Sequence, residues 1–86
     1  MTIGNAVRKL ERSGYKVERD GSHFVARKTG VLDLIEFLPN GSAEPENEIC
    51  CLRVRRDADK DDMQSDYSAG SYYDSVAQAM RAAEWR

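Results

Sequence analysis

Tyr15-Lys16-Val17-Glu18-Arg19-Asp20-Gly21-Ser22-His23-Phe24-Val25-Ala26-Arg27-Lys28 reads as two short strands folded about a tight turn. Apolar and polar residues alternate on both sides of Asp20-Gly21, a pair suited to the two-residue type I′ turn. A turn at that pair sets Arg19 opposite Ser22, Val17 opposite Phe24 and Tyr15 opposite Ala26. Strand side chains alternate between faces. One face then carries Tyr15, Val17, Phe24 and Ala26 and is expected to be the core side. The other carries Lys16, Glu18, His23, Val25 and Arg27, so the only histidine is expected outside, among positive charges.

Upstream of the hairpin, Ile3, Val7 and Leu10, with Ala6 beside them, form the apolar stripe of a helix. Thr2 can cap its start, and Gly14 stands where a left-handed terminator belongs. Downstream, Thr29-Gly30 makes a turn and residues 31–38 are apolar enough for another strand. Pro39-Asn40-Gly41-Ser42 ends it, and an acidic loop runs on to Glu48. Residues 49–56 give a further strand whose Cys50, Leu52 and Val54 face the core, while Arg53 and Arg55 share the outer side. Residues 57–70 show no period and read as a loop. Ser71 and Asp74 then resemble a capping box for a last helix, with Tyr73, Val76, Met80 and Ala83 at helical spacing. The predicted fold class is α+β, a two-layer sandwich in the order α-β-β-β-β-α, or α-β-β-β-α if residues 31–38 pair poorly. Both helices would cover one face of an antiparallel sheet.

The chain has 86 residues, 41% hydrophobic and 33% charged, which suits a single domain over residues 1–86. Two domains of about forty residues would each lack a sufficient core. Mean hydropathy is −0.67 and no apolar run reaches the roughly eighteen residues of a membrane span, so no membrane partner is expected. The first ten residues contain no apolar signal core, and a cytoplasmic location is expected. The two cysteines are neighbours, Cys50 and Cys51. On a regular strand they point to opposite faces, so a disulfide between them is geometrically poor. Reduced thiols are the simplest reading, and neither a metal site nor a cofactor is predicted.

The formal net charge of −2 hides an asymmetry. Residues 1–30 carry seven basic residues against three acidic ones. Residues 31–86 carry six against twelve. Asp57, Asp59, Asp61, Asp62 and Asp66 crowd into ten residues. Such a row can imitate nucleic-acid phosphates and compete for lysine and arginine clusters on a partner. It also reads as an ordinary solvated loop. An EF-hand starting at Asp57 would need glycine at 62 and glutamate at 68, where the chain has Asp62 and Ser68. His23 is the sharpest chemical candidate, because an imidazole can move a proton near neutral pH. Lys16, Arg19, Arg27, Lys28, Arg53 and Arg55 could hold a phosphodiester beside it, the minimum for metal-independent RNA cleavage.

The stretch Val7-x-x-Leu10-x-x-x-Gly14-Tyr15-x-Val17-x-Arg19-x-Gly21-Ser22-His23 resembles the N-terminal half of HicA toxins. That resemblance covers residues 3–28 and implies a double-stranded-RNA-binding-like fold, mRNA cleavage and a catalytic role for His23. The family's third-strand Pro-x-His element is not visible in residues 31–38. Residues 53–80, from Arg53-Val54-Arg55-Arg56-Asp57 through Tyr72-Tyr73-Asp74-Ser75-x-x-Gln78-Ala79, are similar to an associated domain of the large polyvalent proteins of phages and plasmids. This second resemblance implies a mobile-element protein of anti-CRISPR-like function, with a host protein or ribonucleoprotein as partner. Two expectations follow. The leading one is a non-enzymatic inhibitor that binds through Asp57, Asp59, Asp61, Asp62 and Asp66 or through the basic outer sheet. The alternative is a HicA-like RNA endonuclease using His23. A homodimer through a strand edge is a general expectation for so small a sheet.

Overall fold

A computed structural model describes residues 1–56 and 71–84. Its elements are α1 (Ile3–Arg12), β1 (Lys16–Asp20), β2 (His23–Arg27), β3 (Asp33–Pro39), β4 (Ile49–Arg56), β5 (Ser71–Tyr73) and α2 (Val76–Ala83). The strands form one antiparallel meander in the order β1-β2-β3-β4-β5. This is the expected α+β class, with β3 as the middle strand of the sheet.

Helix α1 starts where Thr2 accepts a hydrogen bond from the Asn5 amide at 3.2 Å. Its two preceding amides are taken by a different segment. Ile3 N–H donates to the Asn47 carbonyl at 2.8 Å and Gly4 N–H to that of Pro45 at 2.9 Å. The loop after β3 thus satisfies donors that a helix start leaves open. Gly14, at φ +93°, reverses the chain into β1. Ile3, Ala6 and Leu10 of α1 and Val76, Ala79 and Ala83 of α2 join one core with Ala26, Ile35, Phe37, Leu52 and Val54. These strand residues share one face, so both helices lie on the same side of the sheet. Tyr15 is buried there and donates to Glu84, the C-cap of α2, at 2.8 Å. Burial, together with Glu84, holds its phenol well above the ordinary pKa.

The hairpin register differs from expectation by two residues. Asp20 pairs with His23, Arg19 with Phe24 and Val17 with Ala26, leaving Gly21-Ser22 as the loop. A type I′ turn at Asp20-Gly21 would need positive φ at Asp20, whereas Gly21 takes φ +64° and no non-glycine residue has positive φ. Glycine at the first loop position is the pattern of a type II′ turn. A shift of two preserves which face each side chain occupies, and the core side stands as expected.

The start of the last helix also moves. Ser71–Tyr73 is a fifth strand, with Tyr73 opposite Leu52 and Tyr72 opposite Arg53. Adjacent tyrosines favour a pleated strand, and α2 begins only after Ser75. The Ser75 hydroxyl accepts from the Gln78 amide at 3.2 Å, and the Gln78 side chain accepts from the Asp74 amide at 3.2 Å. The capping signal is therefore Ser75-x-x-Gln78, not Ser71 and Asp74.

Candidate functional site

Alternation along the strands sends Val25 and His23 of β2, Leu34 and Glu36 of β3, and Arg53 and Arg55 of β4 to the face opposite the helices. Register aligns them: Val25 faces Glu36, Glu36 faces Arg53, and Leu34 faces Arg55. Glu36 is the centre, at 3% exposure in the middle strand. Arg53 donates to its Oε1 through Nε at 3.1 Å and Nη2 at 2.7 Å. Arg55 donates Nε to Oε1 at 2.6 Å and Nη2 to Oε2 at 3.1 Å. His23 Nε2 lies 3.1 Å from Oε2 and 4.0 Å from Asp20 Oδ2. Three side chains from two neighbouring strands thus converge on one buried carboxylate.

Burial pushes the Glu36 carboxyl up, but the hydrogen bonds and charges of Arg55 and Arg53 outweigh it and hold it below the ordinary value. The group is a carboxylate near neutral pH. The imidazole in contact with it belongs to a side chain that is 29% exposed.

The sequence-predicted basic residues do not assemble as one phosphate cradle. Arg53 and Arg55 lie with His23, but both are bonded to Glu36. Lys16 pairs with Glu18 at 3.2 Å. Arg19 donates to the Gly21 carbonyl at the turn, at 3.1 Å. Arg27 sits on the outer side opposite Lys16. Lys28 lies on the helical side, 5.5 Å from the Tyr15 ring centre and 3.7 Å from Glu84. Asp57, Asp59, Asp61, Asp62 and Asp66 lie outside the described residues.

Sequence reasoning missed Glu36, although a signal was present. It is the one acid inside Leu34-Ile35-Glu36-Phe37-Leu38, and strand parity places it outward, as it places Arg53 and Arg55. A cleft of about 390 Å³ lies elsewhere, between β5 and α2, lined by Tyr72, Tyr73, Asp74, Gln78, Arg81 and Ala82. No family model matches this chain, and no curated protein or solved structure is similar to it.

Proposed function

We propose that the chain is a small non-enzymatic protein of a mobile genetic element that binds and inhibits a host nucleic-acid-handling defence machine, anti-CRISPR-like, through a charged surface. The observation that carries this reading is the engagement of His23, Arg53 and Arg55 by Glu36. The two arginines beside His23, which RNA cleavage would draw on for phosphate, are hydrogen-bonded to a buried carboxylate. Near His23 the described ion-pairing groups are the carboxylates Asp20, at 4.0 Å, and Glu36, at 3.1 Å. The proposed biological setting rests on the resemblance of residues 53–80, read from the sequence, to a domain of phage and plasmid proteins. The five aspartates in the sequence of residues 57–66 carry charge opposite to that of the basic channels of such machines.

The test is phage plaquing on cells carrying a panel of RNA-guided nucleases. Expression of the chain is expected to restore plaquing against at least one of them. Reversal of Asp57, Asp59, Asp61 and Asp62 to lysine is expected to abolish that rescue with an unchanged circular dichroism spectrum. Rescue that survives the reversal discards the acidic surface, and no rescue against any nuclease discards the inhibitor reading.

A second reading, the HicA-like endonuclease, is favoured by one feature: an imidazole fixed against a buried carboxylate while its ring stays partly exposed. It predicts that overexpression arrests growth and cleaves mRNA, and that His23→Ala removes both while the protein remains folded. Harmless wild-type protein that leaves mRNA intact eliminates it.

A further inference from the structure

Strand β4 is irregular at its start. Cys51 pairs with Leu38 and Ile49 with Pro39, so Cys50 is an extra residue with no partner on β3. A bulge of this kind breaks the alternation that would send neighbouring side chains to opposite faces. Burial, and then the neighbouring Cys50 thiol, push the Cys51 thiol up. Both cysteines are free, Cys50 exposed and Cys51 partly so. Cys50, expected to face the core with Leu52 and Val54, is instead exposed, and the bulge interrupts the regular alternation on which the expectation of divergent thiols rested.

We infer that Cys50 and Cys51 form a chelating dithiol site for a single soft, thiophilic Lewis acid of the trivalent-arsenic type. Directly adjacent residues have Cα atoms about 3.8 Å apart across a trans peptide, below the roughly 4.4 Å at which ordinary disulfides begin. One bridging atom between the sulfurs lengthens the link and relieves that mismatch. A tetrahedral zinc site would need four ligands, and among the described residues no group of three or more His, Cys, Asp or Glu side chains is placed to hold a metal ion. Two thiols and an access route suit a centre with two open valences. With phenylarsine oxide, two As–S bonds form, the arsenic–oxygen bond is lost, and the oxygen leaves as water with both thiol protons. No oxidation state changes, and no further reagent is required.

The experiment is titration of the reduced protein with phenylarsine oxide in excess glutathione, read by intact mass and by thiol counting with Ellman's reagent. The expected product is one phenylarsine per chain with both thiols protected. Cys50→Ser and Cys51→Ser each leave a single thiol that competes poorly with glutathione, and retention should fall roughly a hundredfold when the intramolecular second bond is lost. Thermal unfolding of both variants, and of Cys50→Ala at the exposed position, checks that the fold is intact. Equal retention by a folded single-cysteine variant overturns the inference. So does wild-type protein whose two thiols both remain reactive.

Discussion

Glu36→Gln is expected to lower the thermal midpoint by roughly 15 °C, through about 3 kcal/mol of lost stability at neutral pH. The carboxylate is 3% exposed, and the Arg53 and Arg55 side chains facing it are 11% and 10% exposed. Removing one partner from a buried ion cluster leaves the remaining charges without compensation, which is where the loss arises. Glutamine keeps the size and one acceptor oxygen but cannot receive four guanidinium hydrogen bonds as an anion. Replacing Glu36, Arg53 and Arg55 together by leucine and methionine should recover most of the loss, because that change removes the desolvation cost with the charges. A Glu36→Gln loss below about 1 kcal/mol would show that water reaches the cluster well enough to make it dispensable.

The pH dependence has a definite sign. The folded carboxyl lies below its ordinary value of 4.5, so the folded state binds protons less readily than the unfolded chain. Its contribution is complete above the unfolded value and disappears as pH falls through the lower folded value. Thermal midpoints of wild type and Glu36→Gln measured from pH 7 downward should therefore stay well separated until acid protonates Glu36. They should converge below that. A constant gap across the acid range would assign the effect to packing instead of charge.

Much of this arrangement could be read from the chain, and the exceptions have identifiable causes. Period-two alternation placed Tyr15, Ala26, Leu52 and Val54 inward and Arg53 and Arg55 outward, because burial of one face fixes parity. Parity tolerates an error of two, which is why the turn could be misplaced from Gly21-Ser22 to Asp20-Gly21 without moving His23 to the wrong face. It does not locate β5, whose three residues carry too little pattern to compete with the helical spacing of Tyr73, Val76 and Met80. Nor does it anticipate the Cys50 bulge, since an inserted residue is defined only by the pairing of two strands. The environment of His23 was misread for a related reason. Lys16 and Arg27 share its face and are basic, but its contacts are the carboxylates of Asp20 and Glu36.

Phe37→Ala should be the most damaging change on the helical side of the sheet. Phe37 is 0% exposed in the middle strand, between Phe24 and Leu52 in register. Its ring stacks on Phe24 with centroids 5.0 Å apart and planes 10° from parallel. Truncation of a buried phenylalanine costs about 3–5 kcal/mol, including the cavity that neighbours fail to fill. A domain of this size has roughly 4–13 kcal/mol in total, so the variant should be near or past its folding threshold at 37 °C. Phe24→Ala should cost less, because Phe24 is only partly buried, and Phe37→Leu less again, at around 1–2 kcal/mol. Urea midpoints would order the three. A Phe37→Ala loss no larger than that of Phe24→Ala would mean the core collapses around the missing ring. The loss should also hold constant between pH 7 and pH 4, since no titrating group is removed. Phe37 and Glu36 are neighbours on one strand with opposite faces, so the contrast between a pH-independent and a pH-dependent loss separates apolar packing under the helices from the ion cluster on the open side.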